Sequence, residues 1–115
     1  MRANLSKTLG IVSLLLLSAG CTTTAPPASE AEKDSAGLAY LACLDKYTPQ
    51  LDDRVSKARV VAAALVNGPC KPESDRLLEI FSRGLSPLAR QKFYDNPYSV
   101  YVIATDAVLS HRARR

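Results

Sequence analysis

A chain of 115 residues with near-neutral mean hydropathy, −0.04, has room for one ordinary domain and no second one. Its formal charge of +4 sits at the two ends of the chain, with Arg2 and Lys7 at one and Arg112, Arg114 and Arg115 at the other. That distribution argues against an extended basic nucleic-acid face, and a single histidine, His111, offers no second or third ligand for a zinc site.

Residues 1–20 read as an export signal. Arg2 and Lys7 form a positive start, Leu9 to Leu17 an apolar run, and Ser18, Ala19 and Gly20 a small-residue approach to Cys21. The uncharged stretch from Thr8 to Gly20 is 13 residues, whereas a membrane-spanning helix needs about 20. Ordinary signal-peptide cleavage is the rival reading, but the nearest small-x-small pattern, Thr23-Thr24-Ala25, is followed by Pro26.

The segment Leu17-Ser18-Ala19-Gly20-Cys21 resembles the lipobox of bacterial lipoproteins. That resemblance implies cleavage before Cys21, a diacylglyceryl thioether on its sulfur and often a third acyl chain, which together make a durable membrane anchor. Thr22 follows the cysteine where inner-membrane lipoproteins commonly carry Asp, so an outer-membrane location facing the periplasm is implied for a Gram-negative source. Loss of Arg2 and Lys7 would take the charge from +4 to +2.

From Thr22 to Ser35, prolines, threonines and charged residues predict a disordered tether, holding a domain of residues 36–115 clear of the headgroups. The domain is expected to be all-α, an irregular bundle of about four to five short helices. The first, capped by Ser35, should place Leu38, Leu41 and Leu44 on one side, Tyr40, Cys43 and Tyr47 on a neighbouring one, and stop before Pro49. A second runs from Val55 to Val66 with Val55, Ala58, Val61, Ala62 and Leu65 inward, after the capping candidates Asp52 and Asp53, and ends at Gly68-Pro69.

Pro72 opens a third helix whose stripe is Leu77, Ile80 and Phe81, with Glu79 paired to Arg83 one turn on and Gly84 as its stop. Ser86-Pro87 starts a short helix carrying Leu88, Ala89 and Phe93. Asn96-Pro97 starts the last, with Val100, Ile103, Ala104, Ala107 and Val108 inward.

With Cys21 committed to lipid, Cys43 and Cys70 are an even pair in an exported chain, and a disulfide between them is expected. In a straight hairpin of the predicted helices the two would be far apart, so the connection from Thr48 to Arg54 is expected to run back along the first helix, or the helices to cross steeply. The pattern from Cys43 to Cys70, with Leu51-Asp52-Asp53, Ser56, Ala58 and Val61-Ala62 between, resembles small exported helical proteins of proteobacteria, a likeness that carries no activity with it.

Neither a nucleophile beside a base, nor a metal cluster, nor a phosphate-cradling glycine loop is recognisable, and no cofactor is implied. Asp52-Asp53 reads as helix capping rather than an acid/base pair, and His111 as a solvated helix end. Tyr94, Tyr98 and Tyr101 lie close enough to form a sugar-stacking cluster, though core or boundary positions are the usual fate of tyrosine. Arg112, Arg114 and Arg115 are candidate contacts for anionic lipid or peptidoglycan, or solvated charges complementing a helix C-terminus. The short length makes a deep pocket unexpected. The expected function is a non-enzymatic binding or structural role at the envelope, with another envelope protein or peptidoglycan as partner and no nucleic acid. A small periplasmic enzyme inhibitor or enzyme is the alternative.

Overall fold

The computed structural model describes residues 26–114; the expected export signal, Cys21, the start of the expected tether and Arg115 lie outside the described residues. Among the described residues five helices follow one another: α1 (Glu30–Leu51), α2 (Ala58–Asn67), α3 (Lys71–Ser82), α4 (Pro87–Asp95) and α5 (Tyr98–Ala113). Among the described residues no helix is long and apolar enough to cross a membrane. The expected all-α architecture with one disulfide is the one found.

Helix α1 begins six residues before the predicted domain boundary. Ser29 is its cap, with the side-chain oxygen accepting from the amide of Glu32, and Glu30 and Glu32 favour the positive end of the helix dipole. Residues 30–35, predicted to belong to a tether, are therefore helical. Pro27 packs against Gly84, Ala28 is buried, and Glu32 pairs with Arg83 at 2.6 Å. Composition misled here because a polar first turn looks like linker until its partners are known.

The buried row of α1 is Ala36, Tyr40, Cys43, Leu44 and Thr48. Leu38 and Leu41, expected to share the inward side with Leu44, are 66 % and 47 % exposed. Tyrosine takes the central position because its hydroxyl finds a partner inside: it donates to the carbonyl of Val100 at 2.6 Å.

Pro49 does not stop α1, which continues to Leu51. A proline ring removes one helical hydrogen bond, but here only in the last turn. The hydroxyl of Thr48 donates to the Leu44 carbonyl at 2.6 Å, and the Asp52 amide to the Thr48 carbonyl at 2.9 Å. Past this end the chain turns through Arg54, in the left-handed region at φ 62°. Val55, predicted to face inward, is 88 % exposed in the turn, and α2 starts three residues later.

These shifts bring Cys43 to Cys70, whose Cα atoms are 5.8 Å apart. At about 1.5 Å per residue, α1 continues roughly 12 Å beyond Cys43 and α2 returns roughly 15 Å. These lengths bring the two cysteines level, and because residues 48–51 are helical, the expected doubling-back of residues 48–54 along α1 does not occur. Gly68 follows α2, and Pro72 sits in the first turn of α3, as expected.

The core gathers Tyr40, Leu44, Val61, Leu65, Leu77, Leu78 and Ile80 with Val100, Ala104 and Val108. On α5 the fully buried positions fall at i, i+4 and i+8, the expected stripe, with Ile103 and Ala107 half-buried beside it. Glu79 and Arg83 are paired as predicted, with Nε 2.9 Å from Oε1. Phe81, by contrast, is only partly covered. Among the described residues Gly84 is the one glycine held at positive φ, 82°, and a Cβ there would lie 2.7 Å from Pro27 Cγ. Glycine is required both by conformation and by the close approach of Pro27.

Candidate functional site: a groove between α1 and α5

Two hydrogen bonds fix the relation of the first and last helices. Tyr40 bonds to Val100, and Arg112 to Asp52, each pair 60 residues apart in sequence. A constant offset means that α1 and α5 run in the same direction and in register. Residues spaced by four on each then line the two walls of a common furrow: Gly37, Leu41 and Asp45 on α1, and Ser99, Ile103 and Ala107 on α5.

The furrow has two parts that share Leu41 and Ile103. The first, of about 440 Å³, is closed at its base by Tyr40, Leu77, Leu78, Phe81 and Phe93 and is almost wholly apolar. Its one hydroxyl-bearing base residue, Tyr40, already spends its proton on Val100, and burial raises the phenol well above its usual pKa. The second part, of about 410 Å³, is lined by Asp45, Asp106, Ala107, Ser110 and Arg114. From Ser99 to Arg114 the furrow follows α5 for roughly 22 Å at about 1.5 Å per residue.

A cavity of this size was not expected in so short a chain. Leu41 and Phe81, expected in the core, instead stand partly exposed and line an open groove. Gly37 widens it: nothing lies within 4 Å of where its Cβ would be. A glycine inside a helix costs about 0.5–1 kcal/mol relative to alanine, so its side-chain-free surface here is the signal that sequence reading passed over.

The residues singled out in the sequence are distributed as follows. Cys43 and Cys70 are bonded. Asp52 and Asp53 do not act on the α2 terminus, whose cap position is Lys57 with no side-chain cap bond. Asp53 instead ties the turn, accepting from the amides of Val55 and Ser56 and, at 2.7 Å, from the Ser56 hydroxyl. These bonds, the hydroxyl first, lower its pKa to about 2. Asp52 closes α1 and accepts both Nε and Nη2 of Arg112; those bonds hold its carboxyl below the usual range.

Arg112 is thereby spent inside the fold, and its Nη2 also donates to the Ser56 carbonyl at 2.6 Å. It is not a solvated arginine waiting for an anionic surface. Arg114 is exposed and borders the polar half of the groove, and its carbonyl accepts from Arg54. His111 lies in the last turn of α5, where its carbonyl accepts from Arg54 and its ring is half-buried.

Of the three tyrosines, Tyr94 and Tyr101 line one small cavity of about 180 Å³ and Tyr98 does not join them. Tyr101 bonds to the Asn67 side chain, Tyr94 faces Ser82 and meets Phe93 edge-on, and Tyr98 stands 72 % exposed. Among the described residues, no three His, Cys, Asp or Glu side chains are grouped to hold a metal ion. Comparison with protein families, curated proteins and solved structures finds no match to this chain.

Proposed function

We propose that this protein is an envelope lipoprotein, anchored through Cys21, whose helical domain binds an amphipathic helix of another envelope protein along the α1–α5 groove. The observation that carries this reading is the composition of the groove. An apolar half lined by Leu41, Leu77, Phe81 and Phe93 adjoins a polar half bearing Asp45, Asp106, Ser110 and Arg114. A helix is the backbone that satisfies its own hydrogen bonds, so it can lie in an apolar furrow that offers few donors or acceptors. A groove of about 22 Å accommodates roughly four of its turns. In the polar half Asp45 and Asp106 outnumber Arg114, which favours a partner with basic residues beyond its apolar face. Peptidoglycan, which is polar throughout, would find little to bond in the first half.

The anchor and the groove are tested separately. Metabolic labelling with a fatty-acid analogue should mark the wild type and not Cys21→Ser; equal label would remove the anchor. For the groove, a photo-crosslinking amino acid at Leu41 should trap a discrete envelope protein in cells, and the same group at Val60, exposed on α2, should not. The yield at Leu41 should fall when Asp45→Lys and Asp106→Lys are introduced. In vitro, a model Leu/Lys amphipathic peptide should gain helicity with the soluble Cys21→Ser domain and lose it with Leu41→Glu. Unchanged peptide binding by Leu41→Glu would defeat the groove.

A further inference from the structure

We infer that the end of the domain formed by the start of α1 and the α3–α4 turn rests on the lipid surface, with Leu85 and Leu88 entering the interface. The inference rests on the proposed lipid anchor at Cys21 and fixes how the groove is presented.

The chain available between lipid and fold is short. Cys21 is followed by Thr22, Thr23, Thr24 and Ala25, and at Pro26 the described structure begins. Five steps of extended chain reach at most about 18 Å. Pro27 is then held against Gly84, and the first turn of α1 is held to the end of α3 by Glu32 with Arg83 and by Lys33 over the Phe81 ring at 5.8 Å. Whatever else the domain does, this end stays beside the bilayer.

That same end carries apolar side chains left open to solvent, Leu88 largely so and Leu85 by about a third. Leu88 is 67 % exposed in the first turn of α4, four residues after Gly84, and Leu85 follows Gly84 directly with its amide bonded back to Ser82. Leucines at this spacing are what an interfacial surface buries, about 5–10 Å into the headgroup and acyl boundary. Lys33 is paired with Glu30 and Arg83 with Glu32 and Glu79, while Arg90, two residues after Leu88, lies over the Tyr94 ring. The contact is apolar at its leucines, with Arg90 beside them.

One consequence concerns the groove. Its apolar half, near Gly37 and Phe81, lies toward the bilayer, and its polar half, near Asp45 and Asp106, lies away from it along α1.

The test uses the mature chain from Cys21, whose only free thiol is that cysteine when Cys43 and Cys70 are bonded. Coupling it to a maleimide lipid in phosphatidylcholine vesicles supplies the anchor chemically, so the outcome does not depend on lipidation in the cell. The chain has no tryptophan, so Leu88→Trp and Val55→Trp report on the two ends of α1. With acyl-brominated lipid, Leu88→Trp emission should fall to about half and shift to the blue, given an interfacial depth of about 5–10 Å. Val55→Trp, at the far end, should be unaffected. Leu85→Trp serves as a second reporter of the same turn should Leu88→Trp unfold. Unquenched emission from the α3–α4 turn on vesicles that carry the coupled protein, or equal quenching at both ends, would overturn the inference. Absence of fatty-acid label on Cys21 in cells would remove the anchor and leave the vesicle result standing.

Discussion

The hydroxyl of Tyr40, on α1, donates to the carbonyl of Val100, on α5, across 2.6 Å in the centre of the core. It is a polar pin between the two helices that frame the groove, at the closed base of its apolar half. Tyr40→Phe keeps the ring and removes the pin, so the domain should lose about 1 kcal/mol, the usual net value of an internal hydrogen bond. Tyr40→Ala should cost several times more through the cavity it leaves. Equilibrium urea denaturation of both variants checks the ratio; equal losses would mean that the hydroxyl, and not the ring, carries the position.

Arg112 and Arg114 are one turn-end apart, yet only Arg112 has a carboxylate to hold. Arg112→Ala leaves Asp52, whose side chain is shielded from water, without its cation, and frees the Ser56 carbonyl. Its thermal midpoint should drop clearly, and that of Arg114→Ala should stay near wild type. Deleting residues 111–115 should therefore destabilise the domain while leaving it membrane-bound through the proposed lipid on Cys21, because acyl chains there would outweigh about 1 kcal/mol per arginine at an anionic surface. Thermal scans and membrane flotation separate the two effects.

Closing a loop of 27 residues between Cys43 and Cys70 restricts the unfolded chain by about 3 to 4 kcal/mol. For a core this small that is a large share of net stability. Reductant, or Cys43→Ser with Cys70→Ser, should lower the denaturation midpoint sharply while much of the far-ultraviolet helical signal persists at low temperature. Alkylation and mass measurement before reduction should find neither thiol free.

Stability should decline as pH falls through the window from about 4 to about 2. Asp53 is lowered from an ordinary value near 3.8 to about 2 by the Ser56 hydroxyl and by the Ser56 and Val55 amides, and Asp52 is lowered by Arg112. A carboxylate depressed in the folded state contributes fully above its unfolded pKa and loses that contribution as it is protonated on the way down to its folded one. Asp53→Asn should flatten this part of the profile, and Ser56→Ala should move its lower limit upward. Thermal midpoints taken from pH 2 to pH 6 read both.

Gly37 faces open space in the groove, so Gly37→Ala should raise stability by about 0.5–1 kcal/mol through the lower entropy of the unfolded chain. Gly37→Leu should fill the groove and abolish binding of the amphipathic peptide. Calorimetric unfolding and peptide titration on the same two variants give the comparison.

The residue order by itself determined the helical class, four of the helix limits set by Gly68, Pro72, Gly84 and Ser86-Pro87, the Glu79–Arg83 pair, the inward row of α5 and the pairing of Cys43 with Cys70. These rest on contacts within a turn or on chemistry open to only two side chains. Tertiary structure alone decided which face of α1 is buried, because Leu38, Leu41 and Leu44 and the row through Tyr40 are equally apolar until Val100 supplies an acceptor for the tyrosine. It carried α1 past Pro49, since burial of Leu44 and Thr48 outweighs one lost bond in a final turn. It drew Ser29 to Ser35 out of the tether through Arg83 and Gly84, fifty residues away, and took Arg112 out of solvent to meet Asp52. The groove belongs to the same class: its walls come from four helices, and no local pattern records that Leu41, Phe81 and Ile103 will stand around a glycine with nothing between them.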